Sequence, residues 1–304
     1  MKANKIIEKV QEYFQTLKSK NLEIELNIKE ELLKDEAYLF NENQIGKLKF
    51  EIAKSTYDNE IEKVKELTIK LENLQKIKFE IESKYHLETA IKYNCNICKD
   101  SGYINGKRCS CFNKMLIKIC FDSLGVLEHS KAEFTSFTPT ALKGHYKAMK
   151  EYCDKFPNTN VLNYIFIGSP GTGKTYLSKC IDNEILNKGL TSIFLTSTEL
   201  TDIFLKIHLS EIDRSLIFDV LSNCDLLIID DLGTEPMYKN VTTEYLLTLL
   251  SLRLDNKKHF IITTNLTTGE LFERYNERLL SRLSDKSTTK FIAFNSNDLR
   301  RELK

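Results

Sequence analysis

Apolar residues over the first 92 positions recur in steps of three and four. From Tyr57 onward they run Ile61, Val64, Leu67, Leu71, Leu74, Ile77, Ile81, with charged residues filling the gaps, and this spacing predicts one amphipathic helical stripe. Lys, Glu, Ile and Leu dominate this stretch, Pro139 is the first proline, and Gly46 is the only glycine before Gly102, all of which favours helix. The segment Asn41-Glu42-Asn43-Gln44-Ile45-Gly46 reads as a loop between an earlier helical region and the long one. The stripe must be buried, either within its own helical bundle or against a partner. From Tyr164 the pattern changes. Short apolar runs (Tyr164–Ile167, Ser192–Thr196, Leu226–Ile229, His259–Asn265) alternate with helical spacing (Tyr176–Lys188, and a helix through Leu209), which predicts a parallel sheet wrapped by helices. Between the two regions, 112–163 reads as a connector. Its Phe134–Pro139 part is extended, because the residue before a proline avoids the helical region, and a helix from Ala141 to Phe156 follows; this pre-strand segment either lies over a nucleotide base or caps the core, and the cap is expected.

Composition narrows what can surround this sheet. With 304 residues, 41% of them hydrophobic, the chain can bury a sizeable core and form two domains or one domain with appendages. A formal charge of +1 excludes a basic chain as such, so any nucleic-acid surface is a local patch. No apolar run approaches the roughly 20 residues that span a bilayer, and Met1-Lys2-Ala3-Asn4-Lys5 leads into charged helix instead of an apolar signal core; a cytoplasmic protein with no membrane partner is expected.

Four of the eight cysteines are concentrated as Cys95-Asn96-Ile97-Cys98 and Cys109-Ser110-Cys111, around a short loop with Gly102 and Gly106. Two close cysteine pairs can each chelate one side of a tetrahedral zinc ion, and in a reducing compartment a thiolate cluster points to metal before disulfides. Cys-x-Cys is the less regular pair, and Cys120, His86 or His129 can replace one ligand. Nothing implies an open coordination position, so the zinc is structural. Cys120, Cys153, Cys180 and Cys224 are scattered as buried thiols are.

The strongest chemical signal is Gly168-Ser169-Pro170-Gly171-Thr172-Gly173-Lys174-Thr175, a phosphate loop lying after a predicted strand and before a predicted helix. Glycines let the backbone point its N–H groups at phosphate oxygens, and the following helix adds its positive end. Lys174 would reach the β- and γ-phosphates of ATP and Thr175 would ligate Mg²⁺. Leu226–Ile229 delivers Asp230 and Asp231 to the carboxyl end of a buried strand, Asp230 to hold Mg²⁺ and Asp231 to polarise the attacking water. Asn265 ends another apolar strand, either orienting a water beside the γ-phosphate or beginning the next turn. Arg274, Arg278, Arg282, Arg300 and Arg301 crowd the last part of the chain, and Arg278 and Arg282 share a helix face.

Over about residues 134–304 these motifs resemble the AAA+ ATPases of the DnaC/DnaI type, bacterial replicative helicase loaders, with the transposase-helper IstB close by. The resemblance rests on Gly168–Thr175, on Ile229-Asp230-Asp231-Leu232-Gly233 with Glu235, on Thr263-Thr264-Asn265-Leu266, on Glu277-Arg278-Leu279-Leu280-Ser281-Arg282-Leu283, and on Phe294-Asn295 leading to Arg300. It implies an α/β AAA+ domain (131–304) behind an α-helical, coiled-coil-like partner-binding region (1–92) and a small zinc module (93–130). It also implies Asn265 as the sensor-one residue, Arg282 as an arginine finger given to a neighbouring subunit, and Arg300 as the sensor-two arginine. ATP, Mg²⁺ and Zn²⁺ are the implied cofactors. The implied partners are a hexameric replicative helicase held by the amino-terminal region, single-stranded DNA, with Lys206 and His208 as candidate contacts, and further copies of the chain across the ATP sites. Two features depart from the DnaI-like branch, whose front domain binds zinc: four clustered cysteines replace a mixed Cys/His set, and the chain is longer ahead of them. An aspartate as the second acid, as in the family, implies slow hydrolysis. A transposition helper with the same core and a nucleotide-stabilised adaptor are the competing expectations.

Overall fold

Asp35 sets the first break in the amino-terminal helices of the computed structural model, which describes residues 3–85, 91–126, 132–134, 142–275, 277–285, 287–295 and 298–299. Helix α1 (Ala3–Leu32) ends just before it, and its carboxylate accepts the N–H groups of Ala37 and Tyr38 at the start of α2 (Glu36–Tyr57). The second break is Asp58–Glu60, where Asn59 takes a left-handed φ of 59° before α3 (Ile61–Lys84). The expected loop at Asn41–Gly46 is therefore helix, inside α2, with Asn41 and Ile45 buried. A lone glycine costs a helix only about 1 kcal/mol, which the Asp35 cap and the pairing of α2 with α3 offset. Helices α2 and α3 pair along Ile45, Leu67 and Ile81, the Lys78 ammonium meets Glu42, and Tyr85 donates 3.0 Å to Asp35. Other members of the predicted stripe, Ile61 and Ile77, remain exposed.

By its internal contacts the chain divides into two compact units, Gln11–Lys107 and Met1–Val10 with Arg108–Lys304. Past a short hairpin, β1 (Tyr103–Ile104) and β2 (Lys107–Arg108), the expected connector begins with a helix instead, α4 (Ser110–Leu124), closed by Gly125 at φ 71°. The extended segment expected at Phe134–Pro139 lies largely outside the described residues. The helix expected from Ala141 is α5 (Lys143–Lys155).

The carboxy-terminal unit holds a five-stranded sheet, all parallel, in the order β4-β5-β6-β3-β7. Its strands are β3 (Asn163–Gly168), β4 (Ser192–Thr196), β5 (Leu226–Leu232), β6 (His259–Thr264) and β7 (Thr289–Phe294). The helices between them are α6 (Lys174–Asn187), α7 (Ser197–His208), α8 (Arg214–Asn223), α9 (Thr242–Asp255), α10 (Thr268–Arg274) and α11 (Glu277–Leu283). Both faces are covered, so the central strands are continuously apolar: Leu226–Ile229 and Phe260–Ile262 are fully buried. Strand order is what positions the site. Because β6 lies between β3 and β5, whatever ends β6 stands between the phosphate loop and the two aspartates.

Candidate functional site

Strand β3 ends at Gly168, whose pairing with Phe294 on β7 is so close that a Cβ would stand 2.3 Å from the Phe294 carbonyl oxygen. Only glycine fits there. The loop then turns through Gly171 and Gly173, both at positive φ, into α6, whose first residue is Lys174. Leu142 and Leu299 flank Gly173, and the Leu299 N–H donates 3.0 Å to the Gly171 carbonyl.

The Lys174 ammonium is buried. It donates to the Gly168 carbonyl at 2.6 Å, the Ser169 carbonyl at 2.9 Å and Asn265 Oδ1 at 2.9 Å, and Thr172 donates to the same Ser169 carbonyl. Burial lowers its pKa, opposed by the charges of Asp231 and Asp230. Asn265 in turn donates through Nδ2 to Asp231 Oδ1 at 2.6 Å. On the other side, the Thr175 hydroxyl donates to Asp230, 3.0 Å from each carboxylate oxygen. Lys174, Asn265 and Asp231 thus form one hydrogen-bonded group and Thr175 with Asp230 a second, side by side at the carboxyl ends of β3, β5 and β6. Pro170 is exposed at the loop's tip.

Consecutive strand residues normally face opposite sides of a sheet, so two adjacent aspartates should not reach the same site. A β-bulge resolves this. Ile229 pairs with Ile262 and Leu232 with Thr264, leaving Asp230 and Asp231 opposite Thr263 alone. Asp231 takes a left-handed φ of 59°, a conformation that Asp tolerates. Thr263 holds both halves of the bulge: its hydroxyl donates to Asp230 Oδ1 at 2.6 Å and accepts the Asp231 N–H at 2.8 Å. Ser197 and Thr234 hydroxyls donate to the Asp231 carbonyl at 2.8 and 2.9 Å. Burial, and then the neighbouring charge of Asp230, raises the Asp231 pKa above the usual carboxylate value. Ser197 carries no motif signal; Thr263 lies in the Thr263-Thr264-Asn265-Leu266 motif, but that motif points to Asn265 and gives Thr263 no role.

Arg282 stands apart from this set. On α11 it donates to Asp255 Oδ1 at 3.2 Å, at the end of α9 that leads into the amino end of β6, and with Arg278 it lines a surface recess that includes Leu247 and Ser251. Arg300, like His86 and His129, lies outside the described residues. Lys206 is half-buried on α7, and His208 at its end is exposed, its Nδ1 3.4 Å from the Tyr245 hydroxyl. Arg214 caps the same aromatic group, 5.3 Å above Phe218 and 5.1 Å above Tyr245.

The cysteine stretch forms a separate local centre. The sulfur atoms of Cys95, Cys98, Cys109 and Cys111 all lie within 4.8 Å of one another. Zinc with four thiolates at about 2.3 Å needs sulfurs about 3.8 Å apart, which this set reaches with small adjustments. Gly102 N–H donates to Cys98 Sγ at 3.3 Å, and the buried Asp100 carboxylate accepts the N–H groups of Cys95 at 2.8 Å and Asn94 at 3.1 Å. The donor set and its backbone supports fit zinc. Cys120 is not a member of the cluster and is a buried thiol whose pKa burial pushes up to about 11.

Residues 150–301, half of the chain, match the family model described as IstB-like ATP binding protein. Over 140 residues the chain is 32% identical to the replicative helicase loader DnaC of Escherichia coli (strain K12), covering 44% of this chain and 54% of that one. Over 141 residues it is 30% identical to the replicative helicase loader DnaC of Buchnera aphidicola subsp. Acyrthosiphon pisum (strain APS), covering 45% and 56%. The chain thus spans about half the length of the curated relatives it matches. A crystal structure of the DnaC helicase loader is similar with a TM-score of 0.48 at 22% identity, over 54% of this chain and 97% of that one.

Proposed function

Since the chain belongs to the IstB-like ATP binding protein family, we propose that it is an ATP-dependent loader of a replicative DNA helicase, acting in the cytoplasm, with ATP binding and hydrolysis as its loading and release switch. The observation that carries the ATPase part is the placing of Lys174–Asn265–Asp231 beside Thr175–Asp230, the two groups joined through Thr263. Loop N–H groups and the amino end of α6 receive the phosphates. Lys174 exchanges the carbonyls of Gly168 and Ser169 for β- and γ-phosphate oxygens. Asn265, already bonded to both Lys174 and Asp231, keeps Asp231 aimed at a water beside the γ-phosphate, and Asp231 takes that water's proton as it attacks. Thr175 and Asp230 would hold Mg²⁺, which supplies charge neutralisation at the phosphate oxygens when bound. Hydrolysis by an aspartate in this role is slow, which suits a switch.

Arg282 is the arginine finger, reaching a neighbouring subunit's nucleotide after leaving Asp255, and Arg300 is the sensor-two arginine. An exposed pair of this kind contributes roughly 0–1 kcal/mol, so phosphate displaces it at small cost. Region 1–92, with the zinc module 93–130, holds the helicase hexamer. Supporting this, α2 and α3 leave Phe40, Phe50, Tyr57, Ile61 and Ile69 exposed. Four thiolates of the cysteine cluster would hold Zn²⁺ as a structural ion. Single-stranded DNA would lie against the α7–α8 surface, where His208 and Arg214 meet Tyr245 and Lys206 lies two residues before His208 on α7.

Two measurements with full-length protein test this. Turnover should vanish in Arg282→Ala and return on mixing with Lys174→Ala, since each lacks what the other supplies; absence of that rescue would remove the shared site. The protein should retain the hexameric helicase of its source cell when ATP is present, and retention of a transposase instead would overturn the loader reading.

A further inference from the structure

Glu235 carries a carboxylate sealed beneath the Asp231 turn, its residue 2% exposed. Oε2 accepts the Gly233 N–H at 2.8 Å. Oε1 accepts the Tyr275 hydroxyl and lies 3.6 Å from Arg274 Nε, while Arg274 donates through Nη2 to the Glu235 carbonyl at 2.5 Å. A carboxylate in such a place is costly unless both oxygens are occupied. Here each is occupied, and the partners fall into two groups: the turn that follows Asp231, and the end of α10.

Each group leads to one half of the proposed chemistry. On the first side, Asp231 is held by Thr263, Ser197 and Thr234, but the turn leaves the sheet through Gly233 at φ 112°, and a Cβ there would meet Leu266 at 2.6 Å. The Gly233 N–H bond to Glu235 fixes that exit. On the second side, Tyr275 is buried and stands two residues ahead of Glu277, where α11 begins and carries Arg282. Burial, then the charge of Glu235, raises the Tyr275 pKa, so its hydroxyl remains a donor at any working pH. Glu235 bonds neither Lys174 nor Thr175, so it acts through other groups.

We propose that Glu235 is a positioning residue that locks the Asp231 turn to the start of the arginine-bearing helix, so that a subunit's own phosphate site and the arginine it offers its neighbour are set together. The inference rests on the roles given to Asp231 and Arg282 above.

The test uses full-length proteins and the mixing assay, in which an Arg282→Ala acceptor has an intact phosphate site and a Lys174→Ala donor supplies the arginine. Glu235→Gln keeps the size and one acceptor of the side chain but removes its charge. Alone it should leave the ATP Kd within about two-fold and lower kcat about ten-fold, because a small misplacement of reacting groups acts on rate before binding. Placed in the acceptor it should lower the rescued rate, and placed in the donor it should lower it again. Tyr275→Phe, which deletes one hydroxyl and opens no cavity, should give the same two-sided pattern at smaller amplitude and carries the test if Glu235→Gln does not fold. Loss confined to one arm, equal loss of affinity and rate, or no loss would overturn the proposal while wild-type turnover stands. Absence of wild-type turnover would overturn the ATPase reading and this inference with it.

Discussion

Replacing Thr263 by valine removes one hydroxyl from a site 1% exposed and keeps the branched shape. That hydroxyl makes two bonds, 2.6 Å to the Asp230 carboxylate and 2.8 Å from the Asp231 N–H. A hydrogen bond to a charged group contributes about 1.5–3 kcal/mol, and an N–H left unmade in the interior costs about 1–3 kcal/mol. Because one atom serves both, the terms overlap, and a loss of about 2–4 kcal/mol in unfolding free energy is expected. Urea titration of the wild type and Thr263→Val measures it directly as a fall in midpoint at constant slope. Function should suffer more than binding. Phosphate contacts from the loop remain, so ATP affinity should hold, while the bulge that aims both carboxylates loosens and Mg²⁺-dependent turnover falls about 10–100-fold. Thr263→Ser, which retains the hydroxyl, should recover most of both losses. If Thr263→Val stays within about 0.5 kcal/mol of wild type and turns ATP over at the wild-type rate, the bulge is not held by Thr263 and the account of the paired aspartates is wrong.

Asp231→Asn keeps an oxygen for Asn265 and tolerates the left-handed backbone. The folded pKa of Asp231 is raised, so its contribution to stability is full below the unfolded carboxylate value and is lost as pH rises through the folded one. The amide should therefore stabilise the fold at neutral pH and lose that advantage in acid, while abolishing turnover; denaturation at both pH values decides, and a less stable variant at neutral pH would contradict it. By the same sign, wild-type turnover should decline as pH falls through that raised value. Gly168→Ala drives a Cβ onto the Phe294 carbonyl, so β7 must move, at a cost of about 1–3 kcal/mol or more by denaturant midpoint. Metal analysis should find one zinc per chain, lost in Cys109→Ser and retained in Cys120→Ser; the opposite pattern would reassign the ligands.

What the chain revealed in advance was what local spacing encodes. The phosphate loop is eight consecutive residues between strand and helix, and Cys95 to Cys111 close a centre over a single hairpin. The types Asp230, Asp231 and Asn265 were readable for the same reason. How two adjacent acids reach one site was not, because the answer lies in Thr263 on another strand and in a backbone conformation that Asp adopts without a sequence signature. Asn41–Gly46 misled because polar residues and one glycine resemble a turn, whereas the helix there is fixed by the pairing of α2 with α3. Helix α4 was missed because its cysteine-led start was read as metal chemistry alone. Glu235 could be noticed beside the aspartates, but not its link to Tyr275, which only packing supplies.

The strand order also carries a schedule. As the ribosome releases the chain, β3 and its loop are the first part of this sheet to emerge, but both strands that flank β3 come later, β6 and then β7. The strand that bears the loop cannot complete its ladder until Phe294 is free to meet Gly168. Closure over so long an interval is slow, and an apolar strand waiting for neighbours is where nascent chains aggregate or are captured by chaperones. Nucleotide competence therefore waits for β7, so a chain arrested before β7 should be unable to retain ATP, and one extended past Phe294 should acquire it in one step.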